Sequence, residues 1–148
     1  MRMITKRQGF TAIWMSAAIL WLGATGVAQT GEVYKTRLSV VPITVAMQDT
    51  VAGSGSVTAT LTGRRLTLAG TFEGLRSPAT VARIHLATRG IRGPAILDLT
   101  VTKATSGSIS GSLDLTPAQV EELRKSRFYV QLHSERAPDG NLWGWLLR

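Results

Sequence analysis

The chain has 148 residues, 44% of them apolar and 18% charged, which suits one compact domain and excludes a disordered polypeptide. It contains no cysteine, which excludes a thiolate metal site, an iron–sulfur cluster and a cysteine nucleophile and leaves stability to packing alone. The formal charge is +8, but the basic residues are scattered along the chain instead of gathering with aromatics on one element, so nucleic acid is not an expected partner.

Arg2, Lys6 and Arg7 come first, and residues 10–28 then carry no charge and include the apolar stretch from Ile13 to Leu22. A positive start followed by an apolar run is the order of an export signal, here residues 1–28. Gly26 and Ala28 occupy the two positions a signal peptidase needs small, so cleavage is expected after Ala28 and the product is expected to be periplasmic or extracellular. The alternative is an uncleaved anchor, because about 20 apolar residues span a bilayer and this run approaches that length. Its Gly, Ser and Thr content argues against that, and membrane contact is expected only in that case. Three of the 17 basic residues fall in this segment and all nine acidic ones lie beyond it, leaving the remainder with a surplus of five positive charges. Residues 29–33 read as a linker.

Short β-rich runs separated by Gly, Ser, Pro and Asp follow. Strands are expected at 33–41, 56–61, 65–72, 80–87, 95–102, 108–115, 128–134 and 142–147, a count suited to a sandwich or barrel. The runs 57–61 and 66–69 alternate apolar and polar residues on either side of Gly63-Arg64, which marks a hairpin with one buried face. One helix interrupts the strands: Thr116 caps it, Pro117 suits its first position, Gln119 completes a capping box, and Val120 and Leu123 form an apolar face ending near Lys125. The cluster Arg124, Lys125 and Arg127 reads as the solvated end of that helix. Glycines fall between or inside strands, not between a strand and a helix, so they mark turns or bulges instead of a phosphate loop.

Several ordered motifs resemble one family. The run Val81-Ala82-Arg83-Ile84-His85-Leu86, followed by Gly90 and Gly93-Pro94-Ala95-Ile96, is similar to the Ala-His-Ile-His strand, glycine turn and Gly-Pro-Val-Val strand of the chordin-type (CHRD) domain. Phe128-Tyr129-Val130-Gln131-Leu132-His133-Ser134 and Pro138-Asp139-Gly140-Asn141-Leu142-Trp143-Gly144 resemble the family's closing Tyr-Val-Asn-Val-His-Thr and Pro-x-Gly-Glu-Ile-Arg-Gly. The segment from Leu113 to Leu123 is similar to the helix before the last His strand, so the likeness covers residues 34–147. It implies an immunoglobulin-like β-sandwich or barrel with limited similarity to copper-zinc superoxide dismutases, and no shared reaction. The motif positions are Arg83, His85, Gly93, Pro94, Tyr129, His133, Pro138, Gly140 and Gly144. This chain departs from the pattern at Arg83, which replaces the first His of the pair, and at Asn141, Trp143 and Trp145, which replace Glu, Arg and Gln.

Period-two alternation puts Arg83 and His85 on one strand face, and Tyr129, Gln131, His133 and Glu135 on one face of another. If the strands are neighbours, a polar patch forms. His85, His133 and Glu135 are its candidate metal ligands, since imidazole suits copper, zinc or iron. Arg83 is a permanent cation and cannot join them, and two His with one Glu fall short of a closed four-ligand set, so no cofactor is expected. Ser134 lies beside a His but without a nucleophile-elbow context, and no general acid–base pair is evident, so no enzyme activity is expected. Trp143 and Trp145 project from one face of the last strand, where they cover the core or form a protein-binding surface. The expected function is an exported, non-enzymatic binding or accessory module whose partner is an exported or envelope protein. The alternative is a metal-binding redox protein with a degenerate dismutase-like His site.

Overall fold

The computed structural model describes residues 30–148, so the expected export signal and its cleavage site lie outside the described residues. Eight strands form in chain order: β1 (Glu32–Val40), β2 (Ser54–Thr62), β3 (Arg65–Glu73), β4 (Ala79–Leu86), β5 (Ala95–Val101), β6 (Gly107–Asp114), β7 (Phe128–Ser134) and β8 (Ala137–Trp145). A single helix, α1 (Pro117–Arg124), joins β6 to β7, and a 3-10 turn (Val45–Met47) lies between β1 and β2. No described helix is long and apolar enough to cross a membrane.

All neighbours are antiparallel, in the closed order β1-β2-β3-β6-β5-β4-β7-β8. Closure depends on two strands that change partners along their length. From Glu32 to Leu38, β1 pairs with β2, and then Ser39 and Val40 pair with Trp143 and Leu142 of β8. Likewise β5 pairs with β4 between Ala95 and Leu99 before Thr100 and Val101 turn to Ser110 and Ile109 of β6. The barrel is therefore two facing sheets joined at corners, which is why the strand pattern alone left sandwich and barrel open.

Alternation fills the space between the sheets. Val57, Ala59 and Leu61 face Leu66 and Leu68 across the expected hairpin, whose two-residue turn has Gly63 at φ 62° in its first position. Ile84, Phe128, Val130, Leu132 and Leu142 supply the opposite sheet, and all are buried. The helix forms as its capping box requires: Thr116 Oγ1 accepts from Gln119 N at 3.2 Å, and Gln119 Oε1 accepts from Thr116 N at 2.9 Å. Val120 and Leu123 join the core. Beyond Lys125, Ser126 takes φ 57° while Ser126 N donates to Leu123 O and Arg127 N to Glu122 O, a Schellman ending with serine where glycine is usual.

Most strand bounds shift by a residue or two from expectation, and the two ends of the fold carry the differences that matter. β1 begins at Glu32, so the last two residues of the expected 29–33 linker are strand. β8 begins at Ala137, five residues before the expected 142, because the chain turns at Glu135-Arg136 and Pro138 to Gly140 are part of an irregular strand instead of the turn itself. Leu147, expected inside the last strand, makes only an isolated bridge to Lys35.

Candidate functional site

The expected polar face exists, on the outside of β4, β7 and β8. Its residues stand in rows across the strands. One row is His85, Tyr129 and Trp145, directly opposite one another in register, with ring centroids 4.9 Å and 4.6 Å apart. The next is Asp98, Arg83, Gln131 and Trp143 across β5, β4, β7 and β8.

Although it is external to the barrel, most of this face is not open to solvent. The loop between β4 and β5 lies over one part, where Ala87, Tyr129 and Trp145 form a small second core. The segment after β1 covers another, where Val41 and Val51 pack with Ala137. Trp143 touches both clusters and remains half-buried. Trp145, expected beside it at a protein-binding surface, is 7% exposed and donates its indole N–H to Ala87 O at 3.2 Å, so it packs as a core residue.

The histidines are held by backbone carbonyls. A carbonyl can only accept, so His85 Nδ1 donates to Gly93 O at 2.9 Å and His133 Nδ1 donates to Pro138 O at 2.7 Å. Each Nε2 is buried with no hydrogen-bond partner among the described residues. Burial pushes the His85 imidazole below its ordinary value by disfavouring the charged form, a larger effect than the opposing Gly93 bond.

The His85 and His133 rings lie 6.3 Å apart, but no third ligand joins them. Glu135 is exposed in the turn that follows β7, and no group of three metal-ligating side chains occurs among the described residues. Arg83 turns away to pair with Asp98 on β5 at 2.8 Å. The candidate set of His85, His133 and Glu135 is thus not assembled, and the donors present do not fit a closed metal site.

The other motif residues make contacts that hold loops and strands together. Tyr129 grips the β4–β5 loop: its hydroxyl accepts from Gly93 N at 3.0 Å and faces Gly93 O at 3.3 Å. A side chain at Gly93 would strike Leu86 O, while Pro94 O accepts from Leu86 N. Between Leu132 and Ser134 the register of β7 and β8 slips, so β8 bulges out and offers the Pro138 carbonyl to His133 and the Asp139 carbonyl to Gln131 Nε2 at 3.0 Å. Gly140 makes the bulge possible, with φ 126° and Gln131 packed where a Cβ would be. At Gly144 a side chain would meet Thr36 and Arg37 of β1. Ser134 is buried, and its hydroxyl accepts from Asn141 Nδ2 at 3.0 Å.

One feature escaped the sequence reading. Where β1 and β8 part between Ser39 and the Lys35–Leu147 bridge, a cavity of about 430 Å³ opens, lined by Lys35, Thr36, Arg37, Ser39, Arg89, Trp143, Gly144, Trp145 and Leu147. Arg92 stands over Trp143, 5.9 Å from its ring centroid, and its guanidinium donates to Asp139 O. These cations come from β1 and from the β4–β5 loop, more than fifty residues apart, and no local motif announces their meeting.

No curated protein and no solved structure matches this chain. The family model of the CHRD domain matches residues 35–146, from within β1 to just past β8, a span that holds the clips on Gly93, the bulge at Gly140 and the β1–β8 seam: the chain belongs to the CHRD domain family.

Proposed function

We propose that this chain is an exported, non-enzymatic binding module that holds a partner protein at the outer seam of β1 and β8, with Trp143 as its anchor. The supporting observation is the half-buried indole of Trp143 in the 430 Å³ cavity, beside aromatic neighbours that are themselves buried. Large aromatic and Arg side chains dominate the energetics of protein interfaces. The motif side chains, by contrast, are occupied in holding loops and bulge, which leaves no evident acid, base or nucleophile for catalysis. Export is supported by the signal-like order of residues 1–28, and placement in the periplasm or outside the cell follows from it.

Trp143→Leu tests the reading, because leucine keeps an apolar contact under the Val41 and Val51 cover while removing the exposed part of the indole. Capture of the partner from the exported fraction should weaken at least tenfold, as for loss of an interface anchor. The thermal midpoint should report a stability change below about 1.5 kcal/mol. Full-strength capture by a folded Trp143→Leu chain would defeat the proposal.

A further inference from the structure

We propose that the partner presents an acidic polypeptide segment to the β1–β8 groove, where Lys35, Arg37, Arg89 and Arg92 surround Trp143. This rests on the reading of the chain as a binding module and adds the chemistry of what is bound.

Eight of the described cations make no salt bridge, and four of them meet at this place, whereas Arg64, Arg76, Lys103 and Arg136 are not among its lining. Arg65, Arg83, Arg124, Lys125, Arg127 and Arg148 are paired with carboxylates. Among the described residues, Lys35, Arg37, Arg89 and Arg92 make no salt bridge, and no Asp or Glu lines the cavity that three of them share. Like charges gathered in a concave surface repel one another and focus a positive potential into it. A carboxylate-bearing ligand relieves that repulsion, and the planar forks of the guanidinium groups match carboxylates in two-point contacts.

The shape favours an extended polypeptide. A second cavity of about 480 Å³ shares Thr36 and Arg37 with the first and continues over β2 and β3 past Ser54, Gly55, Ser56 and Thr71. Its hydroxyls and bare glycine suit a main chain, and Glu73 at its lining opposes a carboxylate there, so the acidic side chains belong at the Trp143 end. Arg and Trp together, with Asp and Glu absent, is also the residue bias of protein interface centres.

The test uses the chain as isolated from cells and fluorescence anisotropy of a labelled oligo-L-glutamate. Binding is expected, and it should weaken steeply as salt shortens electrostatic reach. An Arg37→Ser/Arg89→Ser chain with unchanged thermal midpoint should bind about tenfold more weakly, whereas Arg64→Ser/Lys103→Ser, which removes two cations outside the groove, should change binding by less than about twofold. Equal loss in both variants would reduce the effect to net charge and overturn the proposal. Equally tight binding of an oligogalacturonate of the same charge would overturn it in favour of an acidic saccharide. Capture that depends on Trp143 but ignores the Arg37→Ser/Arg89→Ser change would leave the binding module standing and remove its acidic partner. Capture indifferent to Trp143 would remove the module reading itself.

Discussion

His85 uses its two nitrogens unequally: Nδ1–H is spent on the Gly93 carbonyl, and Nε2 is buried with no acceptor for a proton gained there. Protonation would add a charge and an unsatisfied donor in a covered place, so the folded state holds the imidazole below its ordinary 6.5. A group whose folded value is depressed gives stability that is complete above its unfolded value and is lost as pH falls toward the folded one. The thermal midpoint should accordingly begin to fall as pH drops below about 6.5, and His85→Gln, which keeps a donor for Gly93 but does not titrate, should flatten that part of the profile. Identical profiles for the two chains would refute this. At this scale the sequence was legible in part. Alternation placed Arg83, His85, Gln131 and His133 on outer faces correctly, but it could not reveal that loops cover that face or that Glu135 leaves it at the turn.

Between elements, the β8 bulge decides how the outer face is built. Pro138, Asp139 and Gly140 read locally as a turn, because Pro and Gly are turn residues and nothing in the segment itself records a strand pairing. The pairing is supplied by β7, whose His133 and Gln131 side chains take up the carbonyls that the bulge turns outward. Gly140→Ala should cost more than about 2 kcal/mol in chemical denaturation, since it combines a left-handed backbone with collision against Gln131. Gly90→Ala is the control: φ is 84° there, but nothing lies within 4 Å, so only the backbone cost of about 1 kcal/mol is expected. Equal costs at the two positions would show that the bulge is not braced by Gln131. The helix between β6 and β7 is the opposite case. Its capping box, first-turn proline and buried Val120 and Leu123 are all local, and the structure follows them to within a residue.

Across the whole molecule, Glu32 ties the first strand, the helix and the final residue together. Its carboxylate pairs with Arg124 at 2.6 Å and Arg148 at 3.5 Å and accepts from the Tyr34 hydroxyl at 2.8 Å. The Arg124 hydrogen bond, reinforced by Tyr34, holds the carboxyl at about 2, while burial and then Glu32 push the Tyr34 hydroxyl up to about 12. Because the Glu32 value is depressed, its stabilisation is present above about pH 4.5 and is lost as pH falls through about 2. The denaturation midpoints of the parent and of Glu32→Gln should therefore differ above pH 4.5 and converge near pH 2; a constant difference would exclude the carboxylate as the source.

The sequence by itself determined the all-β class, the strand count, the capped helix, the family and the inward faces of the 57–69 hairpin and of the two His strands, because each of these rests on short local patterns of residues. Tertiary structure decided the rest. Closure into a barrel depends on Ser39 and Val40 reaching β8 and on Thr100 and Val101 reaching β6, short pairings that no periodicity encodes. The β4–β5 loop separates the two tryptophans, burying Trp145 under Ala87 and leaving Trp143 half-buried. Closure also brings Lys35 and Arg37 beside Arg89 and Trp143, so that charges which look scattered along the chain become one groove only when β1 meets β8.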